Sequence, residues 1–261
     1  MIGATRLLLS PRSPSGSAGR RSVFPPVRTR LRRAVSLLLG VTVLCGVGTA
    51  VLLAELPSVG NAQRRVAAIL RDHGGHVSRL AAGSRVARAI VATEDERFFD
   101  HGAVDLIAAG RALAHTLTFD RVDAGGSTIT QQLARALYVP SSDSLGGRVE
   151  AIGLAFKLEQ HYSKRQILGM YLDAVYYGHG FFGASQASEG YFSRPPNRLT
   201  WAKAALLVGL PQAPTAYDPL RHPVLARQRR HDVIHELVTN GALTPAAAKA
   251  ADHAPLALRP G

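Results

Sequence analysis

Carboxylates, aromatic rings and a histidine are concentrated between residues 92 and 101 of this chain. On a helix, four side chains of this region fall roughly on one face: Glu94, Phe98, His101 and Asp105. A solvated acidic turn is the simpler interpretation, but a solvated face has little use for two phenylalanines. An aromatic ring beside a carboxylate lowers the local dielectric and raises the proton affinity of the carboxylate, as a general base or acid requires. From this block alone two interpretations stay open: a solvated acidic turn, or a carboxylate poised for proton transfer.

A run of polar side chains follows at residues 125–133. The run is typical of a capped helix start, because Thr128-x-x-Gln131 has the spacing of a capping box. Hydroxyls and amides at a helix N-terminus are also suitable donors to sugar or phosphate oxygens. Two glycines before them would let a ligand approach the backbone closely. The candidate ligand-binding residues of this run are Ser127, Thr128, Gln131 and Gln132.

The formal charge of +13 is unevenly distributed along the 261 residues. Residues 1–33 contain eight arginines and no acidic residue, in a Ser/Pro/Gly-containing segment typical of a disordered tail. Removing those eight leaves 23 basic against 18 acidic residues, a charge of only +5. The basic character therefore does not argue for a nucleic-acid partner, because most of the excess lies in the tail.

An uncharged segment rich in leucine and valine covers residues 34–54. As a helix it would span about 31 Å, close to the thickness of the bilayer hydrocarbon. A cleaved signal peptide usually has a shorter apolar core, and a buried soluble helix is the other alternative. The arginines before it predict that the tail stays in the cytoplasm and that the chain after Glu55 lies outside. The single cysteine, Cys45, lies within the apolar segment, so no disulfide is expected in the exported part.

These patterns divide the chain into five segments. We predict a disordered cytoplasmic tail (1–33), a transmembrane anchor (34–55), a juxtamembrane linker (56–75), a catalytic domain (76–245) and a C-terminal tail (246–261). Apolar periodicity and capping signals predict a mainly α domain, with helices over 86–93 and 106–117 and further helices opening at Thr128, Ser163 and Thr244. The only β-like run is short and lies around residues 175–177.

The ordered blocks resemble the peptidoglycan glycosyltransferases of family 51, in their monofunctional, membrane-anchored form. The first motif of that family, E-D-x-x-F-x-x-H-x-G-x-D, is matched by Glu94-Asp95, Phe98, His101 and Asp105. The second, G-x-S-T-I-T-Q-Q-L, is complete at residues 125–133. Later blocks match around 163–192 and 205–214, so the resemblance covers roughly residues 76–240.

The resemblance implies a lysozyme-like, single catalytic domain with an apolar flank against the bilayer of the bacterial cytoplasmic membrane. It implies lipid II and the growing glycan strand as substrates, with Glu94 as the general base of an inverting transfer. Substrate-binding roles would fall to Asp95, Phe98, His101, Ser127, Thr128, Gln131 and Gln132. The departing diphosphate would be neutralised by Arg135, Arg148 and Lys164, and the family allows for a divalent metal, Mg²⁺ or Mn²⁺. Transpeptidases and other cell-wall proteins are the expected partners.

The chain departs from the family pattern at several positions. The second carboxylate of the family falls on Ala151, and Glu150 lies one residue away, so we take Glu150 as a candidate replacement. The glycine of the first motif is Ala103, and the asparagine of Tyr-Leu-Asn is Asp173. A catalytically weak lipid II-binding scaffold and a lysozyme-like lytic hydrolase with Glu94 as acid are therefore the alternative hypotheses.

Overall fold

The computed structural model describes residues 53–78, 80–111, 126–139 and 144–259, together with scattered positions between 36 and 48. The predicted tail and about half of the positions of the predicted anchor lie outside the described residues. Among the helices that the structure does describe, none has both the length and the apolar character needed to cross a bilayer.

Helices account for nearly all the regular structure of the described residues. In chain order they are α1 (Ala62–Asp72), α2 (Arg85–Glu94), α3 (Ile129–Tyr138), α4 (Leu145–His161), α5 (Lys164–Ala174), α6 (Ala184–Phe192), a 3-10 turn (Pro196–Arg198), α7 (Trp201–Gly209), α8 (Pro223–Thr239) and α9 (Pro245–His253). Residues 106–111 are also helical. An isolated antiparallel bridge, Tyr176 to Phe182, is the only β pairing in these ranges. The mainly α prediction is confirmed.

Hydroxyl caps explain where several helices begin. Thr128 Oγ1 accepts a hydrogen bond from the Gln131 backbone N–H at the start of α3, and Thr244 caps α9 in the same way. At α5 the full capping box forms, because the Gln166 side chain also accepts from the Ser163 N–H. All three starts coincide with the predicted ones. At α3 the reciprocal half is missing, since the Gln131 amide donates to the Ala103 carbonyl instead.

The core lies between two groups of helices. Helix α3 packs against α4 and α5, while α7 packs against α2 and α8, and α9 covers α8. Fully buried side chains from α2, α3 and α5 meet there, among them Ile90, Leu133 and Leu168. This packing fixes the C-terminal end of α2 next to the N-terminal end of α3, and those two ends carry the acidic and polar sequence blocks.

The segments at both ends of the predicted catalytic domain are part of this packing. Residues 56–75, expected to form a linker, include α1, whose Val66 and Leu70 are buried. Lys157 of α4 donates to the carbonyls of Leu56 and Pro57. Leu56 also lies so close to Gly153 that a Cβ there would be 2.5 Å from its side chain. Beyond residue 245, α9 and Leu256 bury apolar side chains in the same core.

Candidate active site

A cleft of about 190 Å³ opens where α2 ends and α3 begins. Its walls are formed by residues 92–96, Asp105, Ala108, Arg111, residues 126–128 and Asn240. A second cavity, of about 440 Å³, shares Ala92, Glu96 and Asn240 with it and extends towards Arg88 and Phe99. The predicted base Glu94 and the predicted ligand group Ser127 therefore line one continuous depression.

The Glu94 carboxylate is held by a hydrogen-bond relay from two other helices. Gln132 on α3 donates from Nε2 to Glu94 Oε2 over 2.9 Å. Tyr171 on α5 donates from its hydroxyl to Gln132 Oε1, also over 2.9 Å. Burial raises the pKa of Tyr171 well above its usual value, so its phenol remains a donor at every working pH. The other carboxylate oxygen, Oε1, has no hydrogen-bond partner among the described residues.

Asp95 links the two helix ends that form the cleft. Its Oδ1 bonds His101 Nε2 at 2.6 Å, and its Oδ2 accepts from the Ile129 N–H at the start of α3. The Asp95 and His101 side chains are 5% and 6% exposed. A carboxylate at a helix N-terminus is favoured by the helix dipole as well as by the hydrogen bond. Both residues, predicted as substrate-binding, thus hold the base and the polar block in register.

Asp105 is paired with Arg97. The guanidinium donates twice, from Nε to Oδ2 and from Nη2 to Oδ1, while the N–H groups of Ile107 and Ala108 donate to Oδ1. These donors, Arg97 first, hold the pKa of the Asp105 carboxyl well below its usual range. The pair fixes the loop between α2 and the helical stretch at 106–111.

The cluster of Asp95, His101 and Asp105 has the residue types of a metal site, with ligand atoms within 4.8 Å of one another. All four carboxylate oxygens, however, already accept hydrogen bonds from His101, Arg97 or backbone N–H groups. A divalent cation would have to displace a histidine and a guanidinium held by two hydrogen bonds. The cluster therefore does not fit Mg²⁺ or Mn²⁺, which prefer free carboxylate and water oxygens.

The remaining residues of the polar block point mostly inwards. Thr128 and Gln131 are buried, and their side chains donate to the Ala103 carbonyl. Phe98 is fully buried. Its ring lies 4.3 Å from Lys164 Nζ, which also pairs with Glu159 at 2.7 Å. Gln131 and Phe98 therefore support the cleft from behind, while Thr128 also forms part of its wall.

Three further predicted site residues are not among the described residues that line the cleft. Arg148 and Glu150 lie on α4, where Arg148 is exposed and Glu150 is half-buried. Arg135, on α3, has a buried Nε without a hydrogen-bond partner in the described part of the chain. Ala151, which takes the position of the family's second carboxylate, is 1% exposed and belongs to the hydrophobic core.

Several cleft residues escaped the sequence reasoning. Arg111 lines the cleft and pairs with Glu96 at 2.7 Å. Asn240, distant in sequence, donates to the Ala92 carbonyl and closes the opposite wall. In the sequence, Tyr171 is indistinguishable from the other apolar positions of α5. No local pattern marks these residues. Packing of α3 against α5 brings Tyr171 to Gln132, and packing of α8 against α2 brings Asn240 to the cleft.

Comparison with known proteins identifies relatives of this chain. Penicillin-binding protein 1A of Neisseria flavescens is 38% identical over 156 residues, covering 60% of this chain and 20% of the relative. Penicillin-binding protein 1A of Aquifex aeolicus is 37% identical over 174 residues, covering 67% and 24%. Penicillin-binding protein 1F of Bacillus subtilis is 34% identical over 169 residues, covering 65% and 24%. The chain thus spans about a fifth to a quarter of the length of these curated relatives.

Among solved structures, a 2.6 Å crystal structure of penicillin-binding protein 1A from Haemophilus influenzae matches half of the chain and 16% of its own. Its TM-score is 0.37 at 24% identity, which is too low to compare the folds in detail. The family model described as Transglycosylase matches residues 65–238, well over half of the chain, including both motif blocks and the relay on Glu94. The chain therefore belongs to the transglycosylase family.

Proposed function

We propose that this chain polymerises peptidoglycan glycan strands from lipid II, with Glu94 as the general base. The observation that carries the proposal is the Glu94 carboxylate, which faces a cleft with one oxygen held by Gln132 and the other without a described partner. Membership of the transglycosylase family supports glycosyl transfer as the reaction class.

The proposed reaction is a direct displacement with Glu94 as the proton acceptor. Glu94 Oε1 accepts the proton of the acceptor's GlcNAc 4-hydroxyl as that oxygen attacks the anomeric carbon of the donor's MurNAc. The bond from the anomeric carbon to the lipid diphosphate breaks, and its electron pair leaves with the diphosphate. One direct displacement inverts the α-linked donor into a β-1,4 product. The proton ends on Glu94, and the leaving group departs as an anion.

The leaving group needs neutralisation of charge more than a proton. Arg111 lines the cleft and can turn towards a phosphate, since its side chain is 58% exposed. Arg135, Arg148 and Lys164 remain proposed phosphate contacts. Lys164 is the most constrained of these, because a phosphate would have to compete with Glu159 for its ammonium group. Ser127 is placed to contact a sugar or phosphate oxygen within the cleft.

We also propose that the domain has the lysozyme-like arrangement of its family and works against the bacterial cytoplasmic membrane. Helix α4 supports membrane contact, because Leu145, Val149 and Phe156 are 79%, 45% and 44% exposed at helical spacing. Leu106 and Ile107, on the helical stretch at 106–111, are also exposed apolar side chains. The arginine-rich tail and apolar segment of the sequence support an anchor with the N-terminus inside.

Polymerisation of labelled lipid II by the purified full-length chain tests the proposal. Glu94→Gln should reduce the rate about 10²–10⁴-fold, because the amide cannot accept the proton, while lipid II still binds. Glu189→Gln is the matched control, since that glutamate is 49% exposed on α6, and it should leave the rate unchanged. Near-normal polymer from Glu94→Gln would refute the base assignment. Binding without turnover by the native chain would favour the scaffold hypothesis, and shortening of preformed strands the hydrolase.

A further inference from the structure

The Tyr171 hydroxyl is a buried polar group, one side chain away from Glu94, that the proposed mechanism has not yet used. The Tyr171 side chain is 2% exposed and lies behind Gln132 as seen from Glu94. In the described part of the chain, Gln132 Oε1 is the only acceptor within hydrogen-bond distance of this hydroxyl.

A side-chain amide between a phenol and a carboxylate has two possible orientations. In the first, the phenol donates to Oε1 and the amide N–H donates to Glu94, which favours the ionised carboxylate because it is the stronger acceptor. In the second, the amide N–H points at the phenol and Oε1 faces Glu94, which requires a protonated carboxyl group. The orientation of the Gln132 amide and the protonation of Glu94 are therefore coupled.

The phenol breaks the balance between these two orientations. Its proton has an acceptor only in the first, whereas the second leaves a buried O–H without a partner, which is the unfavourable state for a buried polar group. Burial keeps this phenol protonated, so the preference holds over the whole working pH range.

We propose that Tyr171 is a positioning residue that acts through Gln132 to hold Glu94 in its ionised, proton-accepting form. This inference rests on the proposed function and deepens it. It gives the proposed base a structural reason: an N–H donor stabilises the ionised carboxylate, which accepts a proton, over the protonated form that a general acid needs.

The test is the pH dependence of kcat/KM for polymerisation of labelled lipid II by the full-length chain. Tyr171→Phe should move the acidic limb to higher pH by about one unit, equivalent to about 1.4 kcal/mol. Tyr177→Phe is the matched control. It also removes a fully buried hydroxyl, but one that donates to the Leu172 carbonyl, and its profile should match that of the native chain.

A double-mutant cycle identifies the route of the effect. In a Gln132→Leu background, Tyr171→Phe should produce no further shift, because the intermediary is gone. A Tyr171→Phe profile that superimposes on the native one, or a full shift that persists without Gln132, would overturn the inference. If the phenylalanine variant does not fold, 3-fluorotyrosine at position 171 provides the same test. The stronger donor should move the limb to lower pH, and an unmoved limb would overturn the inference.

These outcomes are separable from failure of the proposed function. An inactive native chain, or a fully active Glu94→Gln variant, would remove the base itself. An active native chain with an inactive Glu94→Gln variant and an unshifted Tyr171→Phe profile would remove only the role of Tyr171.

Discussion

Two buried aspartates, Asp173 and Asp105, should respond to the same one-atom substitution with opposite signs. They are 4% and 3% exposed. Asp173 Oδ1 accepts from the Ser78 N–H at 3.0 Å, and burial raises the pKa of its carboxyl. Asp105 is held by the Arg97 guanidinium, which lowers the pKa of its carboxyl. The buried charge of Asp173 is therefore poorly compensated by its surroundings, and the buried charge of Asp105 is well compensated.

Asp173→Asn should therefore stabilise the fold near neutral pH. The amide keeps an oxygen that accepts from the Ser78 N–H. It also removes a charge whose desolvation cost is poorly offset by hydrogen bonds. We expect a gain of about 1–3 kcal/mol in the free energy of unfolding, the usual cost of an uncompensated buried polar group. For a domain of this size, this corresponds to a rise of about 2–4 °C in Tm for each kcal/mol.

Asp105→Asn is the matched control with the opposite sign. It removes the charge that the Arg97 guanidinium neutralises and places an NH₂ group among four N–H donors. Arg97 is 30% exposed and can be partly rehydrated, so the loss should be about 2–4 kcal/mol, at the lower end for a broken buried pair.

The pH dependence checks the cause. The folded pKa of Asp173 lies above the unfolded value of about 3.9, so the native carboxyl protonates first as pH falls and the advantage of asparagine shrinks. The folded pKa of Asp105 lies below that value, so its stabilisation is complete above about pH 4 and is lost on further acidification. Thermal unfolding of the full-length chain in detergent, followed by circular dichroism, measures both. A destabilised Asp173→Asn variant, or a gain independent of pH, would refute the reasoning.

Two further substitutions test the site and the backbone. Glu150→Gln should reduce polymerisation about 10²-fold if Glu150 replaces the family's second carboxylate, and unchanged turnover of labelled lipid II would remove it from the site. Gly178→Ala should lower stability by about 2–4 kcal/mol in thermal unfolding, because φ is +85° and a Cβ would meet the Pro214 carbonyl oxygen at 2.8 Å. Gly241→Ala, at φ +67° with nothing within 4 Å, should lose only about 1 kcal/mol, and equal losses at the two positions would contradict the steric account.

The sequence predicts those parts of the fold that depend on neighbouring residues. The helix start at Ser163 is visible because its cap and the Gln166 that completes the box are three positions apart. The predicted helix over 86–93 corresponds to α2 at 85–94. The predicted helix over 106–117 is described only as far as residue 111. Side chains joined by tertiary packing are not predictable in this way.

In the candidate site, too, the residues in continuous sequence blocks are predictable and those brought in by tertiary packing are not. The sequence predicts Glu94 and the polar block as candidates, because both lie in continuous stretches of unusual composition. It did not identify Arg111 or Asn240, which reach the cleft from other parts of the fold. It also placed Thr128 and Gln131 among ligand contacts, whereas their side chains satisfy the buried Ala103 carbonyl. A polar side chain at a helix start can contact a ligand or can satisfy a buried backbone group. Only the tertiary fold decides which of these it does.

The hydrogen bonds from Lys157 to the carbonyls of Leu56 and Pro57 have a mechanical consequence. A pull on the chain at its N-terminal side reaches the folded domain at α4, where Leu56 also rests on Gly153. Because α4 packs against α3, which carries Gln132, a load applied at residue 56 would act on the helix pair that positions the amide bonded to Glu94. A tether upstream of residue 56 would therefore act on the position of the Gln132 amide in the site.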